Sequence, residues 1–106
     1  MQEITAREAA DKLASDPDNT VLLDVRESFE LEVARVSQAR HIAMGEIPNR
    51  LAELDPRQTI ICMCHHGGRS AQVAAFLAAQ GYMQVLNLAG GIDAWSERVD
   101  PTIPRY

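Results

Sequence analysis

Cys64-His65-His66-Gly67-Gly68-Arg69-Ser70 is the stretch of this sequence best equipped for chemistry. It follows an apolar run and precedes an Ala-rich segment, so it is expected to be the turn from a strand into a helix. In a parallel sheet that turn lies at the carboxyl edge, where ligands of open α/β folds bind. Gly67 and Gly68 let the backbone wrap tightly, so several N–H groups can converge at a helix N-terminus as an anion cradle. A cysteine there has its thiolate stabilised by those amides, by the helix dipole and by Arg69, which predicts a depressed pKa and a strong nucleophile. The bland alternative is an inert core thiol beside an ordinary glycine turn. The conjunction of cysteine, two glycines and arginine favours the reactive thiol.

The neighbouring residues read less sharply. Cys62, two positions upstream on the same strand, is expected to be buried filler. His65 and His66 either lend positive charge to the thiolate or face solvent, and the sequence leaves both roles open. Ser70 reads first as a helix cap and second as a donor to a bound anion. Asp24-Val25-Arg26 ends the first strong strand. An ion pair there would shape the same sheet edge, and fixing a loop is its favoured role. Cys62, Cys64, His65 and His66 also offer thiolate and imidazole ligands to a soft metal. Strand alternation places Cys62 inside the sheet layer, however, and four ligands within five residues hardly close a tetrahedron. Neither a metal nor an organic cofactor is expected.

The elements that must hold this loop follow from pattern. Thr5-Ala6-Arg7-Glu8 has the form of a capping box opening a helix to about Ser15, stopped by Asp16-Pro17-Asp18-Asn19. Val21 to Val25, Thr59 to Cys64 and Gln84 to Leu88 are short apolar runs of the kind covered on both faces of a sheet. A helix from about Arg69 to Gln80, ended by Gly81, joins the last two as a parallel crossover. Ser28 to Ala34, Pro48 to Leu54 and Ile92 to Arg98 read as further helices, Arg40 to Ala43 as a strand, and Leu88 to Trp95 as a close glycine turn into the last helix. Trp95, the single tryptophan, is expected to anchor packing. The alternation of strands and helices argues for a three-layer α/β domain. One domain is expected over residues 1–106, with a core at about 4–98 and an extended tail at 99–106.

Composition narrows the function classes. A net charge of −5 over 106 residues excludes a basic nucleic-acid binder. The chain is long enough for one compact core and too short for two. From Thr59 through Ile92 the one formally charged side chain is Arg69, so a nearly uncharged crossover carries a single cation beside its cysteine. Its longest apolar run, Val73 to Ala79, falls far short of the roughly 20 residues that span a bilayer. The N-terminus lacks the basic patch and apolar stretch of a secretory signal, and Cys62 and Cys64 are too close for an unstrained disulfide. Free thiols in a reducing compartment, by default the cytoplasm, are expected.

Asp24-Val25-Arg26-Glu27, His41-Ile42 with Ile47-Pro48, the Cys64 to Ser70 loop, and Leu88 to Trp95 together resemble a single-domain rhodanese, from about Ile4 to Arg98. The resemblance implies a five-stranded, mostly parallel sheet with helices on both faces. It implies sulfurtransfer through a persulfide, with Cys64 as nucleophile, His65 to Ser70 as cradle and Arg69 closing it. Arg40 stands where the family commonly has glycine and Ala43 where it commonly has proline, which bears on local backbone rather than on the loop. Related cysteine phosphatases place one more residue between cysteine and arginine than the four here, so phosphatase or arsenate-reductase chemistry ranks second among enzymes. The expected partners are a small sulfur donor such as thiosulfate and a thiol or cyanide acceptor, with no nucleic acid and no membrane. A sulfur carrier or interaction module with little small-molecule turnover is the rival reading. The physiological donor and acceptor and the oligomeric state stay open.

Overall fold

The structure, a computed structural model, describes residues 2–106. Its elements alternate as expected: β1 (Gln2–Ile4), α1 (Ala6–Ser15), β2 (Thr20–Asp24), α2 (Ser28–Val33), β3 (Arg40–His41), β4 (Thr59–Met63), α3 (Gly68–Ala79), β5 (Gln84–Leu88) and α4 (Gly91–Arg98). The five strands form one sheet in the order β1-β5-β4-β2-β3. Every pairing among them is parallel.

All five residues of β4, the central strand, are buried, which is why it reads as a continuous apolar run. Alternation sends Ile61 and Met63 to one face and Ile60, Cys62 and Cys64 to the other. On the first face Leu22 and Leu88 join them beneath Ala6 and Ala9 of α1 and Ile92 and Trp95 of α4. On the second, Leu23 packs with Val73, Ala74 and Leu77 of α3 and with Ile47 and Leu54. Two apolar layers on one sheet make the three-layer α/β architecture.

The local signals act where they were read. Thr5 accepts from the Glu8 amide at 3.1 Å, and the Glu8 carboxylate accepts from the Thr5 amide at 3.0 Å, closing the capping box of α1. Gly81, at φ +91°, follows the end of α3 and lets the Tyr82 amide return to the Leu77 carbonyl at 3.1 Å.

Three segments differ from expectation. β1 has no apolar run to announce it: it is three residues long, and its register against Leu86–Leu88 of β5 creates it. The helix expected at Pro48 to Leu54 is a 3₁₀ segment, Met44–Glu53, kinked at Arg50 (φ −122°, ψ 19°). Pro48 lies inside it and has no amide to donate to a longer α-helical ladder. The tail, expected to be extended from Val99, instead turns back on itself. The Ile103 amide donates to the Asp100 carbonyl at 3.1 Å, and the Ile103 side chain is buried against the α1–α4 face. Hydrophobic burial of Ile103 and the hydrogen bonds of Tyr106 described below are what the two prolines of this segment conceal in the sequence.

Candidate active site

The Cys64 loop leaves β4 at the carboxyl edge of the sheet, between two glycine-dependent turns. Gly67, at φ +120°, is the residue before α3, in a conformation that side chains avoid. Gly90 and Gly91, at φ +78° and +58°, swing the start of α4 against the loop. The Ile92 amide donates to the Cys64 carbonyl at 2.8 Å and the Asp93 amide to the His65 carbonyl at 3.2 Å. A Cβ on Gly91 would lie 2.5 Å from the Cys64 carbonyl oxygen and 2.4 Å from that of His65, so only glycine allows this approach. Peptide planarity then turns the His65 and His66 N–H groups away from α4.

The sulfur sits among donors at the floor of the loop. The Gly67 amide donates to Cys64 Sγ at 3.1 Å, and the Ser70 hydroxyl reaches it at 3.3 Å. Cys64 is only 2% exposed, and burial by itself pushes its thiol up. Hydrogen bonds from the Ser70 hydroxyl and from the backbone of Ser70, Gly67 and His66 outweigh that burial, and the thiol is held below its ordinary value. Cys62 shows what the same strand does without donors. It is fully buried, and desolvation, followed by the Cys64 charge, pushes it up to about 12. Environment thus separates the two thiols, drawing one below its ordinary value and pushing the other above it.

Arg69 makes its hydrogen bonds away from the sulfur, while its charge still acts on Cys64. Its guanidinium donates to both carboxylate oxygens of Glu30 on α2, at 2.6 and 2.9 Å, rather than to the sulfur. Fork-to-fork pairing of this kind is geometrically specific and strong for an ion pair. Arg69 is thereby held above its ordinary value, first by Glu30. Glu30 is pulled down to about 2, by Arg69 above all, against the opposing effect of burial. Ser70 departs from its first reading. It lies inside α3, whose capping position is Gly67, and its hydroxyl is turned to Asn87 Oδ1 at 2.6 Å as well as to the sulfur.

Asp24 and Arg26 form a fully buried ion pair at 2.7 Å. Arg26 also donates to the Ala34 carbonyl at 2.8 Å and to the Tyr106 hydroxyl at 2.8 Å. Tyr106 donates in turn to Glu30 at 2.6 Å. The ion pair therefore fixes the loop after β2 and is wired, through Tyr106 and Glu30, to Arg69. The Tyr106 ring stacks on His65 at 3.8 Å and 3°, and His66 stacks on the same imidazole at 3.8 Å and 26°. The two histidines form an aromatic pile under the tail, with the His65 Nε2 atom buried and without a hydrogen-bond partner.

Cys64, His65, His66, Gly67, Gly68 and Ser70 are thus assembled as one loop. Arg69 pairs with Glu30, and the Asp24–Arg26 pair is linked to it through Tyr106 and Glu30. Sequence reasoning missed Glu30, Asn87 and Tyr106, and took Gly91 for a turn residue alone. Asn87 carried a usable signal, since a lone amide in the apolar run Val85 to Leu88 must find partners once buried. Glu30 lies among other acids and Tyr106 beyond two prolines, and nothing in either context marks them. No three His, Cys, Asp or Glu side chains converge as a metal ligand set among the described residues. Among the same residues, no helix is long and apolar enough to cross a membrane.

Known proteins resemble this chain in sequence and fold. A family model described as a rhodanese-like domain matches residues 5–98. The chain is 34% identical to a sulfurtransferase of Allochromatium vinosum, over 97% of this chain and 95% of that protein. It is 36% identical to the chloroplastic rhodanese-like/PpiC domain-containing protein 12 of Arabidopsis thaliana, of whose length it spans 38%. The crystal structure of a rhodanese-like domain protein from Staphylococcus aureus superposes with a TM-score of 0.83 at 29% identity, covering 100% of this chain and 99% of that one.

Proposed function

The chain belongs to the rhodanese-like family, and on that premise we propose that it is a sulfurtransferase working through a persulfide on Cys64. The thiolate attacks the outer sulfur of a donor such as thiosulfate; the S–S bond of the donor breaks, sulfite leaves with the bonding pair, and Cys64 holds the extra sulfur. A second nucleophile, a small or protein thiol in a cell or cyanide in a test tube, attacks that terminal sulfur and releases the Cys64 thiolate. The loop amides stabilise the anionic sulfur because they already point to it and need no rearrangement. Arg69, tied to Glu30, holds the first turn of α3 in place and presents its charge at the rim.

The observation that supports this reading most directly is the pair of donors, the Gly67 amide at 3.1 Å and the Ser70 hydroxyl at 3.3 Å, on the sulfur of a cysteine at a helix start. Such a thiol suits a reducing compartment such as the cytoplasm, where it stays available. Mass spectrometry of the intact protein after incubation with thiosulfate, followed by peptide mapping, is the test. One added sulfur on Cys64 is expected, lost in Cys64→Ser and kept in Cys62→Ser. Sulfur transfer surviving in Cys64→Ser overturns the mechanism. Rapid steady-state turnover with thiosulfate and a thiol separates a free-standing enzyme from a carrier that unloads only onto a protein.

A further inference from the structure

Asn87 lies on β5 directly behind the cradle, 1% exposed. Its amide nitrogen donates to the Gly67 carbonyl and to a Glu3 carboxylate oxygen, each at 3.2 Å. Both partners are acceptors, so the nitrogen must face them and Oδ1 must face Ser70. Ser70 is completely buried and its hydroxyl has one proton. Three acceptors lie within its reach: Asn87 Oδ1 at 2.6 Å, Cys64 Sγ at 3.3 Å and the Gly67 carbonyl at 3.3 Å. The amide oxygen is much the nearest. Asn87 therefore competes with the sulfur for the one hydroxyl donor that the described residues give it.

We propose that Asn87 is a positioning residue that governs, through the Ser70 hydroxyl, how readily Cys64 ionises. While the sulfur is a neutral thiol, its S–H can donate to Ser70 Oγ, and Ser70 donates to Asn87. Ionisation of Cys64 makes the sulfur the stronger acceptor, the hydroxyl rotates to it, and the buried Asn87 oxygen gives up its bond. Asn87 thus opposes the thiolate. On the sulfurtransferase reading, on which this consequence rests, the negative charge moves to the terminal sulfur in the persulfide, and the hydroxyl returns to Asn87. The pair then favours the loaded state over the bare thiolate. On ionisation the Cys64 proton leaves to solvent and the Ser70 O–H bond changes direction; the switch itself oxidises and reduces no group.

The test is the pH profile of Cys64 alkylation by iodoacetamide in the reduced full chain, with no sulfur donor present, so it stands whether or not the protein transfers sulfur. Ser70→Ala removes the donor and is expected to move the profile to higher pH, slowing alkylation below the midpoint roughly tenfold, the effect of about 1.4 kcal/mol, close to the lower end for a hydrogen bond to a charged group. Asn87→Leu frees the hydroxyl and is expected to move the profile the other way, speeding alkylation below the midpoint several-fold. In the Ser70→Ala background Asn87→Leu is expected to have no effect. The other ionisable groups around the loop, namely His65, His66, Arg69 with its Glu30 partner, Asp93, Cys62 and Glu3, are the same in both backgrounds. Asn87→Ala, smaller and uncharged, covers the case in which the leucine variant does not fold. It frees the hydroxyl in the same way, so it is expected to lower the profile with Ser70 present and to leave it unmoved without. A profile that is unmoved or shifted upward in the folded variant overturns the proposal. So does an equal shift in the Ser70→Ala background from either variant, which would mean that Asn87 acts through Gly67.

Discussion

Replacing Gly91 with alanine tests the idea that the cradle is held open from behind by α4. The φ of +58° is one that an L side chain adopts at a cost of roughly 1–2 kcal/mol. The new methyl would sit 2.4 to 2.6 Å from the His65 and Cys64 carbonyl groups, which forces the backbone apart at about 1–3 kcal/mol for overpacking. Separation strains or breaks the bonds from Ile92 and Asp93 to those carbonyls, each worth about 0.5–1.5 kcal/mol. Together these come to about 3–8 kcal/mol, against a total stability of about 5–15 kcal/mol. Urea unfolding followed by the fluorescence of Trp95, the single tryptophan, buried on α4 itself, reads the loss directly. With a slope of about 1–3 kcal/mol per molar urea, the lower bound alone moves the midpoint down by about 1–3 M. Cys64 alkylation is expected to slow as well, because the peptides that point amides at the sulfur will have rotated. Gly45→Ala is the control: nothing lies within 4 Å of its Cβ position, and its φ is not positive. A Gly91→Ala midpoint that matches the Gly45→Ala one refutes the claim that close approach of α4 shapes the loop.

Two further outcomes follow from the network under Arg69. The Glu30 carboxylate, ordinarily near 4.5, is held at about 2 in the folded chain, so its stabilisation is complete above about 4.5 and is lost as pH falls toward about 2. The stability gap between the native chain and Glu30→Gln, measured by urea unfolding at a series of pH values, should narrow across that window; a gap independent of pH would show that the pair with Arg69 contributes nothing. Asp24→Asn leaves the fully buried Arg26 without its counter-ion and should cost about 3–5 kcal/mol in the same assay, whereas a loss under about 1 kcal/mol would contradict the buried pairing.

The parts of this protein that could be read in advance are those whose cause lies within a few residues. Thr5 and Glu8 cap α1 because both partners sit in one turn. β4 announces itself because burial on two faces leaves no room for polar residues. The Cys64 loop stands out because cysteine, glycines and arginine are consecutive. What stayed hidden depends on distant pairs. Arg69 looked like a partner for the sulfur because Glu30, 39 positions away, was not visible as a competitor. Ser70 looked like a cap because its place within α3 is set by Gly67, whose positive φ moves the helix start. Tyr106 reached the site from a proline-containing tail, 76 positions from Glu30. Such contacts are chosen by the sheet order, which local periodicity does not encode.

The placement of β1 bears on how the chain folds. Gln2 is registered with Leu86, so the first strand cannot join the sheet until the fifth has formed. Closing so long a loop is entropically expensive, and a sheet without hairpins has few short-range pairings to start from. The crossover from β4 through α3 to β5 is the most local unit containing both a strand pair and the cradle, which makes it the natural nucleus. The sulfur-binding loop would then take shape early, and the edge carrying Glu3 would zip on last. Amide hydrogen exchange should accordingly be faster along Gln2 to Ile4 than along Ile60 to Met63, with the site's rear support, rather than its floor, the first part of the molecule to breathe.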